Sequence, residues 1–221
     1  MRTLNHLNPS PAATAIPGSP LKGLSGPCVR GALFVALLTG MVYPLAITGV
    51  AQLLFAYQAN GSLIADNQGI VGSGLIGQAF TSPRYFHPRP SATIPGPYNA
   101  GASAGSNLGP TNQTLIDNVK QRATAYRQAN GLAVNALVPV DAVTASASGL
   151  DPHISVANAT LQAARVAQAR GLAPGSVQQL LVQHTEGRVF GIFGEPRVNV
   201  LCLNLALDAL KPSIPSMTSC P

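Results

Sequence analysis

The side chains with the greatest catalytic potential lie in one run, TASASGLDPHIS, at residues 144–155. A serine hydrolase combines a serine nucleophile, a histidine base and an orienting carboxylate, and Ser146, Ser148, Asp151 and His153 supply those types. The run has no G-x-S-x-G elbow to present the hydroxyl. The sequence therefore favours a structural or partner-contact role for this run. The alternative function is a serine hydrolase using Ser146 or Ser148 with His153.

Other chemistries find less support in the residue pattern. Asp151 and His153 offer two metal ligands without an obvious third, and no Cys/His spacing resembles a zinc site, so we predict no metal. The phosphate-binding pattern G-x-x-x-x-G-K-[ST] is absent. The chain carries a formal net charge of +6, but its Lys and Arg residues form no cluster interleaved with aromatics. We therefore expect no nucleic-acid binding.

Three cysteines do not indicate a disulfide framework. Cys28 precedes the most apolar stretch of the chain, whereas Cys202 and Cys220 follow it. Cys202 lies in an apolar run and is interpreted as a core residue. A Cys202–Cys220 bridge remains possible in an oxidising compartment.

The elements that must position these residues begin with an apolar stretch at residues 31–55, which has 25 residues and no charge. As a helix it would extend about 37 Å, enough to cross a hydrocarbon core of about 30 Å. We predict a transmembrane helix here. Because Arg2, Lys22 and Arg30 precede it without any acidic residue, the N-terminus is expected in the cytoplasm.

Three regions follow from this topology. Residues 1–30 are predicted to be a cytoplasmic, mostly disordered tail, because they are rich in Pro, Ser, Ala and Gly and lack periodicity. Residues 31–55 are the span, interpreted as an uncleaved signal anchor because a secretory h-region is only about 7–15 residues long. Residues 56–221 are predicted to be one extracytoplasmic domain, so the hydrolase alternative would be signal-anchored and extracytoplasmic.

Within the span, small, polar and proline residues recur at every fourth position. In lipid, small residues let helices approach closely and polar ones bond across the contact. The spacing therefore predicts a face that packs against a partner helix. Its members, after Ala32, are Ala36, Gly40, Pro44, Thr48 and Gln52.

The outer domain is predicted to be of the α+β class, with clear helices and weak strands. Five prolines between Thr81 and Tyr98 indicate irregular or extended backbone. The pattern predicts helices at residues 111–130, 156–170 and 176–184. It also predicts a short strand within residues 69–80, around 74–76, a short strand or extended segment at 136–143, and a turn or short strand at 186–194. Residues 196–211 could be helix or strand, and Pro196 at the start favours a helix.

Several runs, taken in order, carry a resemblance to a known family. They are LLTGMVYPLAITGVAQLLF, QANGSLI, LIGQAF, YFHPRPSA, GSNLGPTN, VTASASGLDPHIS, RVAQARGL and GEPRVNVLCLNLAL. Together, from about Leu37 to Leu210, they resemble the C subunit of the bacterial Kdp potassium-transporting ATPase, the KdpC family. Ala56 stands where that family usually has proline, and residues 1–30 look longer than usual.

The resemblance implies an accessory, non-catalytic subunit of an ATP-driven high-affinity potassium import complex in the bacterial inner membrane. Its partners would be a channel-like potassium-binding subunit and a P-type ATP-hydrolysing subunit. ATP and potassium would act in the complex, with no cofactor bound by this chain itself. The family is described as needed for assembly and as a catalytic chaperone that raises ATP affinity. Because ATP is cytoplasmic, an outer domain fits better as a link between partners or a cover over the outer potassium entrance.

The same resemblance implies which polar positions are candidates for subunit contacts, none of them catalytic. They are Gln78, Arg89, Ser106, Asn107, Thr144, Ser148, Asp151, His153, Glu195, Arg197 and Asn199.

Overall fold

The computed structural model describes residues 23, 25–66 and 69–210, and the chain divides into two compact units after Ala59. In the first unit, one continuous helix of 30 residues is long and apolar enough to cross a membrane. It begins at Ser25, so residues 25–30, predicted as tail, are helical, while residues 1–22 and 24 lie outside the described residues. Its parts are α1 (Ser25–Leu37), a π-helical turn (Leu38–Val42) and α2 (Tyr43–Leu54), and α3 (Ala56–Ala59) follows.

The π-helical turn directly precedes Pro44, whose ring nitrogen has no hydrogen to donate. In an α-helix that hydrogen would bond the carbonyl of Gly40, four residues earlier. Instead the chain widens for one turn, and the Tyr43 N–H donates to the carbonyl of Leu38, five residues earlier. The missing donor of Pro44 is thus accommodated by a π turn.

The second unit contains two small antiparallel sheets. Strand β1 (Leu63–Asp66) pairs with β2 (Gly69–Ser73). The other sheet has the order β3-β5-β4, and its central pairing places His153 opposite Asn199 and Ser155 opposite Arg197. Its strands are β3 (His153–Ser155), β4 (Thr185–Glu186) and β5 (Arg197–Asn199).

Five helices complete the part of this unit that the structure describes, and local capping explains where several of them begin and end. Asn112 accepts a hydrogen bond from the Thr114 N–H, and Ser155 accepts one from the Asn158 N–H. Gly171 closes the second of these helices with a φ of +66°, a left-handed conformation that favours glycine. The helices are α4 (Gln113–Ala129), α5 (Val140–Val143), α6 (Val156–Arg170), α7 (Pro174–Gln183) and α8 (Val200–Ala209).

The core of this unit lies between α6, α7, α8 and the proline-rich loop. Phe86 of that loop is completely buried. Its loop neighbours cannot form a strand ladder among so many prolines, so side-chain amides take the place of a partner strand. Asn204 bonds both the N–H and the carbonyl of Phe86, at 2.8 and 3.0 Å. Gln162 does the same for His87, at 2.7 and 3.1 Å. The loop is therefore a fixed part of the core.

The α+β class is confirmed, together with the helices now labelled α4 and α6. The short strand or extended segment expected at residues 136–143 is wrong for residues 140–143, which form α5 because Pro139 and Asp141 suit a helix start. Residues 136–139 form neither helix nor strand. The short strand expected within residues 69–80 is present as β2, at Gly69–Ser73 and not around 74–76, where only an isolated bridge joins Ser73 to Ile76.

Two further boundaries differ from the sequence prediction. The last helix begins at Val200 and not near Pro196, because Asn199 caps it by accepting from the Cys202 N–H at 3.1 Å, and Arg197–Asn199 form β5. Residues 174 and 175 belong to α7, which has Pro174 in its first turn. Cys28 is a free cysteine. Cys220, and with it the possible bridge to Cys202, lies outside the described residues.

Candidate functional site

A continuous chain of four charged side chains and one histidine runs across the second unit. Arg89 Nη1 lies 2.8 Å from Asp151 Oδ2, and Asp151 Oδ1 lies 3.3 Å from His153 Nδ1. His153 Nε2 is 3.7 Å from Glu186 Oε2, which accepts a 2.9 Å bond from Arg197 Nε. We call these five residues the ion-pair chain. It joins the proline-rich loop, the TASASGLDPHIS run and all three strands of the β3-β5-β4 sheet.

Local structure explains why these side chains meet. Asp151 Oδ1 accepts the His153 N–H at 3.0 Å, a turn that an aspartate before Pro152 readily forms. The turn leads directly into β3, and pairing with β5 carries His153 to the sheet. Pairing of β4 with β5 then places Glu186 opposite Arg197. Three strands of two or three residues thus suffice to assemble the site.

Asp151 is the electrostatic centre of the ion-pair chain. Burial by itself would raise the pKa of its carboxyl group, but hydrogen bonds from His153 and Arg89 and the charge of Arg89 outweigh that effect. The pKa of Asp151 is therefore lowered to about 2. The carboxylate is held ionised as the partner of an arginine.

Arg89 is more enclosed than a surface arginine. Its carbonyl accepts the hydroxyl of Tyr98 at 2.6 Å, and burial raises the pKa of that tyrosine. Among the described residues, Arg89 Nε is buried without a hydrogen-bond partner. Cavities of about 360 and 580 Å³ lie on its two sides, the first against α4 and the second against Ser146, Ser148 and Asp151.

The hydroxyl groups of the TASASGLDPHIS run support local turns. Ser148 Oγ accepts from the Leu150 N–H at 3.1 Å, and Thr144 Oγ1 donates to the Val140 carbonyl at 2.7 Å. Ser146 is buried. The two ring nitrogens of His153 face carboxylates and not a serine hydroxyl. This geometry disfavours the serine hydrolase alternative, since the base must reach the nucleophile.

A glycine explains how closely another segment crosses this run. Gly149 has a φ of +67°, and a Cβ placed there would lie 2.6 Å from the Ala104 carbonyl oxygen. The crossing is held by bonds of 3.0 Å from the Ala104 N–H and from the Ser103 hydroxyl to the Ser148 carbonyl. Residues 103–105 therefore lie directly on the run.

The predicted contact residues fall into two groups. Arg89, Asp151, His153 and Arg197 are brought together in the ion-pair chain. The others lie outside it. Gln78 bonds the Val71 carbonyl, Asn199 bonds the Gly74 carbonyl and caps α8, and Glu195 pairs with Arg188. Thr144 and Ser148 support turns of the TASASGLDPHIS run, and Ser106 and Asn107 are exposed in a loop.

The sequence analysis missed Glu186, which links His153 to Arg197. It also missed Asn158 and Gln162, two buried amides four residues apart on the inner face of α6. Their signal was available, because polar residues at helical spacing among Ala159, Ala163 and Val166 stand out on an otherwise apolar stripe. Among the described residues, no group of three or more His, Cys, Asp or Glu side chains is arranged to hold a metal ion.

One helix able to span a membrane, joined to a small α+β domain, is the architecture of a membrane subunit with a single span. The family model of the K+-transporting ATPase c chain, KdpC, matches residues 26–209. The potassium-transporting ATPase KdpC subunit of Polaromonas naphthalenivorans is 60% identical over 193 residues, which cover 87% of this chain and 97% of the relative. The KdpC subunit of Methylococcus capsulatus is 57% identical over 185 residues, which cover 84% of this chain and 97% of the relative. That of Mycobacterium tuberculosis is 56% identical over 184 residues, which cover 83% of this chain and 97% of the relative. The chain belongs to the KdpC family.

Proposed function

We propose that this chain is a non-catalytic accessory subunit that holds together the potassium-binding and ATP-hydrolysing subunits of a K+-transporting ATPase. Membership of the KdpC family makes it a subunit of that potassium import complex. The observation that carries the non-catalytic role is the ion-pair chain, in which each charged group faces another charged group of the same chain. Such a site is suited to fixing the shape of a docking domain, because no base is left facing a nucleophile.

The proposal places residues 56–221 outside the cytoplasmic membrane, with the N-terminus inside. The support is the set of positive residues before the span, Arg2, Lys22 and Arg30. In that orientation the domain covers the outer potassium entrance or bridges the partner subunits, and it does not contact cytoplasmic ATP. Assistance to ATP binding would then act through the partner subunits.

The span is proposed to pack against a partner helix through its small-residue face. In a straight α-helix, positions four residues apart drift by about 40° per step, so a long stripe winds away from a single partner. The π turn at Leu38–Val42 uses more residues per revolution and turns the helix back against that drift. It keeps Ala36 and Gly40 closer to the face of Thr48 and Gln52 than an unbroken α-helix would.

Gly40 supports the same face. It has open space where a side chain would be, so a partner helix can approach its backbone closely.

The experiment that tests this function is removal and restoration of the chain in cells that depend on the ATPase for potassium. We expect uptake to fail without the chain and to return with it. A cysteine introduced at the exposed Gln128, after removal of the native cysteines, should react with a membrane-impermeant reagent in intact cells. Labelling only after lysis would overturn the orientation and revive direct ATP contact, and unchanged uptake without the chain would overturn the function.

A further inference from the structure

The connection between β4 and β5 exposes the largest apolar side chains of the second unit. Residues 189–194, VFGIFG, contain no charged residue. Phe190, Ile192 and Phe193 are 88%, 72% and 65% exposed, and Val189 is 49% exposed. Single exposed apolar residues are ordinary on a protein surface, whereas four within five positions form a patch that calls for an occupant. We call residues 188–195 the apolar hairpin.

The apolar hairpin is an ordered structure. Val189 and Phe193 exchange two backbone hydrogen bonds of 2.9 and 3.0 Å. One nitrogen of Arg188 lies 2.8 Å from both carboxylate oxygens of Glu195 and closes the base. Phe190 has a φ of +54°, a left-handed conformation that is costly for a bulky residue. Backbone in such a conformation is typical of functional sites, and here it presents a phenylalanine outward.

The charge at the base of the hairpin argues against a lipid occupant. Loops that insert into membranes keep basic residues free for anionic headgroups. Here Arg188 is paired with Glu195 and Arg197 with Glu186, and Glu195 is itself largely exposed. Two phenylalanines around an uncharged tip, with a paired polar base, match instead the apolar centre and polar rim of a protein interface.

We propose that the apolar hairpin docks into an uncharged pocket on a partner subunit of the same ATPase. This inference rests on the proposed function, since it takes the partner from the complex to which the chain belongs. The phenylalanines fill the pocket, and the Arg188–Glu195 pair lies at its rim. The hairpin then supplies a contact outside the membrane that is independent of the span.

A photo-crosslinking residue in place of Phe190 tests this docking directly. The full chain is expressed with the ATPase subunits and irradiated in native membranes, and the products are identified by mass spectrometry. We expect a crosslink to an identified subunit of the ATPase, and a weaker product or none from the same group at the equally exposed Val134. Crosslinks to lipid only, no crosslink at Phe190, or equal products at both positions would overturn the docking.

A pair of matched double variants measures the contribution of the hairpin. Phe190→Ser with Phe193→Ser should lower the amount of partner retained in mild detergent by about tenfold or more, as expected for interface aromatics. Val134→Ser with Leu137→Ser, both 91% exposed, should change it by less than about twofold. Unchanged melting of the purified full chain would show that both variants fold.

The two proposals fail in different ways. Normal retention by the Phe190/Phe193 variant, with loss of retention in a span variant, would overturn the hairpin docking and leave the proposed function intact. A wild-type chain that retains no ATPase subunit would overturn the proposed function itself.

Discussion

The apolar helix and the ion-pair chain present opposite kinds of surface. All five positions of the predicted packing face, from Ala36 to Gln52, are exposed along a helix in which no residue of the apolar window is buried. In the ion-pair chain, by contrast, each charge has a partner within the same domain. We propose that the two regions have different roles: the span packs against other chains, whereas the ion-pair chain fixes the shape of the second unit.

The largest expected effect concerns the stability of the ion-pair chain. Asp151→Asn removes the charge that compensates Arg89, whose side chain is only 22% exposed. An uncompensated half-buried guanidinium should lower the free energy of unfolding by about 2 kcal/mol. Chemical denaturation of the detergent-solubilised chain measures it. Glu195→Gln, which breaks an exposed pair, is the control and should cost less than about 0.5 kcal/mol.

The second effect is the pH dependence of the stabilisation that the Asp151 carboxylate contributes. The pKa of Asp151 is lowered from 3.8 to about 2 in the folded state, so its stabilisation is complete above pH 3.8 and is lost as the pH falls towards 2. We expect the stability difference between wild type and Asp151→Asn to shrink by roughly 1–2 kcal/mol over that window.

Two histidines add a second pH dependence to the free energy of unfolding. Burial lowers the pKa of His87 and of His184 below 6.5. Because their protonation favours the unfolded state, the free energy of unfolding decreases as the pH drops below about 6.5. The decrease is the same in the wild type and in Asp151→Asn. The comparison with the variant removes this shared loss. A difference that stays constant down to pH 2 would contradict the geometry around Asp151.

The third effect tests the proposed packing of the span against a partner helix. Gly40→Leu places a bulky side chain where a partner helix is proposed to approach, while membrane insertion should be unharmed because hydrophobicity rises. Retention of the chain with its partners in mild detergent should fall by about tenfold, the equivalent of roughly 1.4 kcal/mol. Leu37→Phe, which adds bulk outside the small-residue stripe, is the control. Co-purification and potassium uptake like the wild type would show that the span is merely an anchor.

The smallest effect separates a structural histidine from a catalytic one. His153→Ala removes the link between Asp151 and Glu186 but leaves both carboxylates in place. Potassium uptake should fall by less than about tenfold, and loss of a general base would cost about a hundredfold or more. Complete loss of transport in a fully assembled complex would argue for a direct role of His153.

The sequence predicted those parts of the fold that local chemistry decides. The helices now labelled α4 and α6 were predicted because their periodicity is local, and Asn112, Ser155 and Gly171 fix their ends through equally local caps. The strands were predicted poorly, because segments of two to five residues carry almost no periodicity and exist through their pairing partners. Likewise Asp151 and His153 were chosen as neighbours in sequence, whereas Arg89 and Glu186 join them only through folding of distant segments.

Co-purification from mild detergent tests the central claim most directly. The wild-type chain, expressed with its native membrane partners, should retain both a potassium-binding subunit and a P-type ATP-hydrolysing subunit, identified by mass spectrometry. Gly40→Leu combined with the Phe190→Ser/Phe193→Ser change should release both while leaving the chain folded and inserted. A wild-type chain that purifies alone, or with neither of those subunits, would contradict the account.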